Sequence, residues 1–240
     1  MLRIGTAGWA IRREHQTVFP GEGSHLARYA RVFSAIEINS SFYRPHRAST
    51  YAKWAKETPN GFSFAVKMPR TITHDAKLRD AHDQLQKFFD ECGALSEKLG
   101  CVLIQLPPSL AFDAEAARDF LKVLRALYPG RAALEPRHAS WFAKAADSVL
   151  TRFKIARVAA DPIPAKIQDV KHAAVPGGWD GFAYWRLHGS PKIYYSEYDT
   201  DFLAALAQRI GPDDWVIFDN TALGHATTNA RALAVRTQDR

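Results

Sequence analysis

The sequence predicts an α/β protein, a single (β/α)8 barrel of the TIM type, and three observations carry that prediction. Eight short apolar, β-rich runs recur along 240 residues. Amphipathic stretches at helical spacing separate them, which specifies parallel strand–helix–strand units with right-handed crossovers. No Gly-rich dinucleotide loop follows the first run. There Gly5-Thr6-Ala7-Gly8-Trp9 has neither G-x-G-x-x-G nor P-loop spacing, which favours a barrel over an open doubly wound sheet.

Strands are expected near residues 2–7, 34–39, 62–67, 101–106, 131–136, 155–160, 182–188 and 214–219. Helices are expected over 25–33, from Asp83 to Lys98 with Gly100 as the stop, and from Asp113 to Leu127. Asp113 is a good N-cap, and Pro129-Gly130 cannot continue the helix. A barrel of about 250 residues uses this length in the ordinary way, so one domain is expected over residues 1–240. No linker, repeat or low-complexity segment divides the chain.

Composition narrows the class. No apolar run approaches the roughly 20 residues of a membrane span, and Met1-Leu2-Arg3-Ile4-Gly5-Thr6 reads as a strand rather than a signal peptide. A soluble, cytoplasmic protein with no membrane partner is expected. Cys92 falls in a helical stretch and Cys101 at the start of an apolar run, without metal-ligand spacing, so both read as reduced core thiols. The net charge of +7 is uneven: residues 1–80 hold 13 Lys/Arg against 6 Asp/Glu, while residues 81–240 hold 19 of each. A basic sector attracts polyanions. Without a basic run or a nucleic-acid module, however, only weak, non-specific nucleic-acid binding is expected of it.

Nearly every apolar run ends in charged or aromatic residues, and in a parallel barrel those ends share one mouth. Residues two apart on a strand share a face, so Glu37 points with Asn39, Glu135 with Arg137, and Arg186 with His188. If these faces line the mouth, Glu37, Glu135, Asp161 and Asp219 meet Lys67, Arg70, Arg137 and Arg186, with His74, His138 and His188 beside them. Asn39 and Asn220 add amides. Trp9, Tyr43, Trp141 and Tyr194 or Tyr195 offer flat walls for a sugar ring or a base.

The motifs that fill these strand ends resemble the YecE-like family, the proteins carrying domain of unknown function 72. The matching blocks are Ile4-Gly5-Thr6-Ala7-Gly8-Trp9, Glu37-Ile38-Asn39-Ser40-Ser41-Phe42-Tyr43 and Phe64-Ala65-Val66-Lys67-Met68-Pro69-Arg70 with Thr73-His74. They continue through Gln105-Leu106-Pro107-Pro108, Glu135-Pro136-Arg137-His138 with Ser140-Trp141, and Arg186-Leu187-His188-Gly189. Phe218-Asp219-Asn220-Thr221 with Ala226 and Asn229 completes them in family order. The resemblance implies an α/β barrel related in shape to the sugar-isomerase and endonuclease-IV group, with no settled activity. Where the family often reads Asn-Asn, this chain has Asp219-Asn220, which adds a carboxylate.

The chemistry these residue types allow is proton transfer or hydrolysis on a small anionic ligand, whether phosphorylated, carboxylated or sugar-like. Glu37 or Glu135 is the candidate base and His188 or His74 the candidate acid. Arg137 and Arg186 offer planar forks for phosphate or carboxylate, and Lys67 a point charge. Three other readings compete: ion pairs that only hold the barrel together, a nucleic-acid-acting barrel, and a non-catalytic sensor or scaffold. No cofactor is predicted. A divalent metal is disfavoured, since Arg or Lys neighbours almost every candidate ligand and no H-x-H, H-E-x-x-H or D-x-D spacing occurs. Nothing in the sequence sets an oligomeric state.

Overall fold

The computed structural model describes residues 1–164, 167 and 169–237. Strand and helix alternate from the start: β1 (Arg3–Thr6), α1 (His25–Tyr29), β2 (Ala35–Ile38), α2 (Ala48–Glu57), β3 (Ser63–Lys67) and α3 (His82–Cys92). The middle runs β4 (Leu99–Gln105), α4 (Ala114–Leu127), β5 (Ala132–Glu135), α5 (Lys144–Arg152), β6 (Ile155–Arg157) and β7 (Ala159–Asp161). A two-residue β8 (Gly177–Gly178), β9 (Tyr184–Leu187), α6 (Thr200–Ala207), β10 (Trp215–Phe218) and α7 (His225–Thr237) complete it.

The α/β class and the alternation are as expected, and the expected strand positions hold to within two residues at their ends. Two details differ. The strand expected over 155–160 is interrupted at Val158, so β6 pairs with β5 while β7 pairs with β9. The helix expected to reach Lys98 ends at Cys92 and gives way to a 3-10 stretch, Gly93–Lys98, in which Ser96 has φ 54°. Lys98 explains the turn, because its ammonium donates to the Ala55 and Thr58 carbonyls at 2.6 and 2.5 Å and ties this stretch to the end of α2.

Hydrogen bonding groups the strands into two sheets, ordered β1-β10-β9-β7 and β2-β3-β4-β5-β6-β8. Every pairing is parallel except β6 with β8, which makes the second sheet mixed. Glycine makes that short addition possible: Gly178 has φ +66°, and a Cβ there would lie 2.7 Å from the Ile155 carbonyl oxygen.

Two seams lie between the sheets. At the first, β1 and β2 touch through one parallel bridge, Ala7 to Glu37. A Cβ on Gly5 would sit 2.0 Å from the Ala35 carbonyl oxygen, so the backbones approach as only glycine permits. The buried Tyr29 hydroxyl stands in for ladder bonds there, accepting from Thr6 N at 2.9 Å and donating to Ala35 O at 3.1 Å. At the second seam, Val158 N donates to Leu134 O of β5, while β7 carries on beside β9.

Strand alternation sorts the apolar side chains into two clusters. Ala35, Ala65, Leu103, Ala133, Ala156, Tyr184 and Ile217 pack with one another, although they come from both sheets. Their strand neighbours Ile36, Phe64, Val102, Leu134, Ile155, Trp185 and Val216 pack instead with helix residues such as Leu85, Leu121 and Leu150. Period two dictates the split. It also fixes the site, since the residues that follow the first group on the same face are Glu37, Lys67, Gln105, Glu135, Arg186 and Asp219.

Candidate functional site

Each of these polar side chains sits at the carboxyl end of its strand, one step beyond the small apolar cluster. Arg186, only 1% exposed, is the hub. Its Nε and Nη2 grip Glu37 at 3.0 and 2.6 Å, its Nη1 donates to Glu135 Oε2 at 2.8 Å, and Nη2 also reaches Asp219 Oδ2 at 3.2 Å. Glu37 receives a further bond from Tyr184 Oη at 2.9 Å. Glu135 is held from its other side by Arg137, whose Nε and Nη2 donate to Oε1 at 3.0 and 2.6 Å.

Burial and charge pull against each other here. Burial alone would raise the Glu135 pKa, but Arg137 and Arg186 outweigh it and hold the carboxyl well below its usual range. Asp219 is likewise held below its usual value, against burial, by Arg186 and His188. Arg186 itself is held well above its ordinary value, against burial, by Glu37, Glu135 and Asp219. Glu135 and Asp219 are thereby held as carboxylates, which makes them poor bases. Sequence reasoning expected Arg186 to offer its fork to a ligand and Glu37 or Glu135 to take a proton. The structure occupies that fork and those oxygens with one another.

His188 and Lys67 are the groups left to act. His188 Nδ1 lies 3.0 Å from Asp219 Oδ2, while its Nε2 stands 3.5 Å from Glu135 Oε1 without a hydrogen bond. Burial would lower its pKa, but the two carboxylates prevail and raise it, favouring imidazolium. Lys67 is 5% exposed, and its ammonium makes no hydrogen bond or ion pair among the described residues; it lies 4.1 Å over the Phe42 ring. Burial and the nearby Arg186 push it down to about 8, against the pull of Glu37, Glu135 and Asp219. Three carboxylates thus stand with two guanidinium groups and the Lys67 amine, and a protonated His188 adds a further positive charge.

The other expected residues divide. Asn39, just past β2, and Asn220, just past β10, keep their Oδ1 atoms buried with no partner. His74, on a π-helical turn at Thr71–Asp75, packs edge-on to Phe42 and has its pKa lowered by burial, then by Lys67 and Arg70. Arg70 points outward to Asp75 at 3.2 Å between two half-exposed side chains. Asp161 stands apart from the network and accepts the Tyr198 hydroxyl at 2.9 Å. His138 folds back on Ser140 to cap a short 3-10 turn.

The expected aromatic walls scatter. Trp141 is a core residue, its Nε1 bonded to Leu110 O at 3.0 Å and its ring against Phe112. Tyr43 is 75% exposed. Trp9 leans edge-on against Trp54 and lines a cavity of about 260 Å³ with Gly8, Arg12, Thr221 and Thr227. Tyr194 stands edge-on to His188, with ring centroids 6.1 Å apart.

Two residues on this face were not among the expected site residues. Tyr184 lies two residues before Arg186, and Gln105 pairs in register with Glu135. The same period-two rule, run one step back from Arg186 and across from Glu135, finds both. As for metals, no group of three or more His, Cys, Asp or Glu side chains is arranged to hold one among the described residues. The oxygens that would serve are already taken by guanidinium groups.

Known proteins resemble this chain in sequence and in fold. The family model described as "Protein of unknown function DUF72" matches residues 3–240. The UPF0759 protein YecE of Escherichia coli strain K12 is 32% identical over 122 residues, which is 50% of this chain and 43% of that protein. The UPF0759 protein YunF of Bacillus subtilis strain 168 is 30% identical over 151 residues, 59% of this chain and 52% of that one. The matches therefore span about half the length of these relatives. Among solved structures, a DUF72 family protein from Enterococcus faecalis V583 superposes with TM-score 0.78 at 19% identity, covering 99% of this chain and 95% of that one. One from Thermotoga maritima MSB8 gives 0.76 at 24% identity, with 98% of each chain covered.

Proposed function

This chain belongs to the DUF72 family, whose description leaves its activity open, and from that premise we propose that the strand ends form a binding site for a small anionic molecule on which His188 acts as a proton donor. One observation carries the reading. Among the described residues, four buried polar side-chain atoms lack a hydrogen-bond partner, and three of them, Asn39 Oδ1, His188 Nε2 and Asn220 Oδ1, lie at the carboxyl ends of β2, β9 and β10. Buried polar groups are rarely left unpaired without cause, and a ligand is the ordinary partner for such groups at one end of a parallel sheet. Lys67 stands in the same place with an unmatched positive charge. The ligand is an anion that also carries hydroxyl or amide donors for the two asparagine oxygens.

In this reading the two sheets are the walls of one eight-stranded barrel. The shared inner cluster, the Tyr29 bridge at one seam and the continuity of β6 into β7 at the other support closure. Arg186 with Glu37, Glu135 and Asp219 is the rigid floor, while Lys67, Arg137 and His188 face the ligand. Two buried, unpaired cysteines, Cys92 and Cys101, fit a reducing compartment, so we place the protein in the cytoplasm.

Phosphate is the simplest probe. Calorimetry should show the wild type binding phosphate, with Lys67→Met at least about tenfold weaker, since one charge-assisted hydrogen bond is worth roughly 1.5–3 kcal/mol. No heat with phosphate, sulfate or a small carboxylate, or equal binding by both proteins, would rule the reading out.

A further inference from the structure

Lys67 is unusual in more than its charge. It sits on the inner face at the end of β3, with an aromatic ring under its nitrogen and two guanidinium groups in the cluster in front of it. Three carboxylates stand in the same cluster, yet each turns its oxygens to Arg186, Arg137 or His188 rather than to this amine. A lysine meant only to balance charge would be expected to pair with one of them. Nor is it sealed in, since its nitrogen is not among the fully buried unpaired atoms.

We propose that Lys67 is a nucleophile that forms an imine with a small carbonyl compound bearing a carboxylate or phosphate group. This rests on the anion site just described and gives its ligand a reactive group. Amines become nucleophilic in proteins when desolvated and placed beside other cations, and both conditions hold at this position. Its pKa, lowered to about 8, leaves a usable neutral fraction at neutral pH, where an exposed lysine near 10.4 has almost none.

The step balances within the cluster. The neutral Lys67 Nζ lone pair attacks the carbonyl carbon, forming the C–N bond. The C=O π pair moves to oxygen, which takes a proton from the His188 imidazolium. One of the two protons on the nitrogen then passes to the neutral imidazole, and the re-formed imidazolium protonates the new hydroxyl. The nitrogen lone pair forms the C=N bond as the C–O bond breaks and water leaves, giving a protonated imine that keeps the other N–H, with no oxidant or reductant required. Arg137 is placed to hold the anionic group, its guanidinium remaining partly exposed while it steadies Glu135.

Reductive trapping tests this. The protein is mixed with pyruvate or, separately, dihydroxyacetone phosphate, reduced with borohydride, and examined by intact mass and peptide mapping. The expected product from at least one probe is a single adduct of the probe's mass less one oxygen atom, located on Lys67. It should be absent from Lys67→Arg and Lys67→Met, suppressed by excess phosphate, and formed at a rate that rises through about pH 8. Which probe reacts tells whether carboxylate or phosphate is the preferred anion. Adducts spread over exposed lysines such as Lys53 and Lys122, or none from either probe, overturn the proposal. If phosphate still binds in calorimetry, the anion site survives that failure; if it does not, both fall together.

Discussion

At the scale of single residues, the site is built on a contrast between side chains that are satisfied and side chains that are not. Arg186 uses Nε, Nη1 and Nη2 on three carboxylates, so its removal leaves buried charges without partners. Arg186→Met should cost about 3–5 kcal/mol of stability in denaturant unfolding. Lys67→Met should instead leave the melting temperature unchanged or raised, because the ammonium is desolvated and unpaired. The histidine makes a pH prediction. An imidazole whose folded pKa lies above its ordinary 6.5 stabilises the fold fully below that value and loses the contribution as pH rises through the folded value. The gap in melting temperature between wild type and His188→Gln should therefore be widest below about pH 6.5 and narrow as pH rises above it. Glu135 and Asp219 act in the opposite sense, since their depressed values stabilise above the ordinary carboxylate range and fail only as pH falls through the folded values. A gap that widened with rising pH would contradict the assignment of His188 as imidazolium.

At the scale of elements, the sequence was most legible where period and caps agree. Asp113 caps α4 as expected, accepting from Glu115 N and Ala116 N. Alternation predicted correctly that Glu135 and Arg137 point together, and likewise Arg186 and His188. It could not show that Arg186 is consumed by the partners it meets, because that depends on distances from one sheet to the other between residues about 150 apart in sequence, such as Glu37 and Arg186. Nor could it show that the Trp141 ring turns into the core, since a loop position carries no periodicity. The β1–β2 seam was also invisible, because it is held by one hydroxyl and a single backbone bridge. Tyr29→Phe keeps the ring packing but leaves Thr6 N and Ala35 O without their buried partner, at a cost of about 1–3 kcal/mol. Urea unfolding of that variant checks it. A neutral result would mean that the seam is held by the Ala7–Glu37 bridge and by packing of Gly5 against Ala35.

At the scale of the whole molecule, charge decides between a small ligand and a nucleic acid. The excess in residues 1–80 is partly spent within the fold: Arg12 donates to Ala222 O, Arg28 to Phe19 O, and Arg31 to Pro20 O and Glu22 O. Arginines tied to carbonyls in this way do not form a track for a phosphate backbone. Gel-shift titrations should show micromolar or weaker, sequence-indifferent binding that falls with salt at a slope of about 0.9 per phosphate contact. Tight, salt-resistant, selective binding would reverse the ranking. The central claim, an unmatched Lys67 ammonium awaiting an anion, is reached most directly by side-chain NMR of labelled lysine, with the Lys67 signal assigned by its loss in Lys67→Met. It should titrate near pH 8 in the free protein and move upward when phosphate is added, because a bound anion favours the charged amine. A Lys67 signal that titrates with the exposed lysines near 10.4 and ignores phosphate would contradict the account.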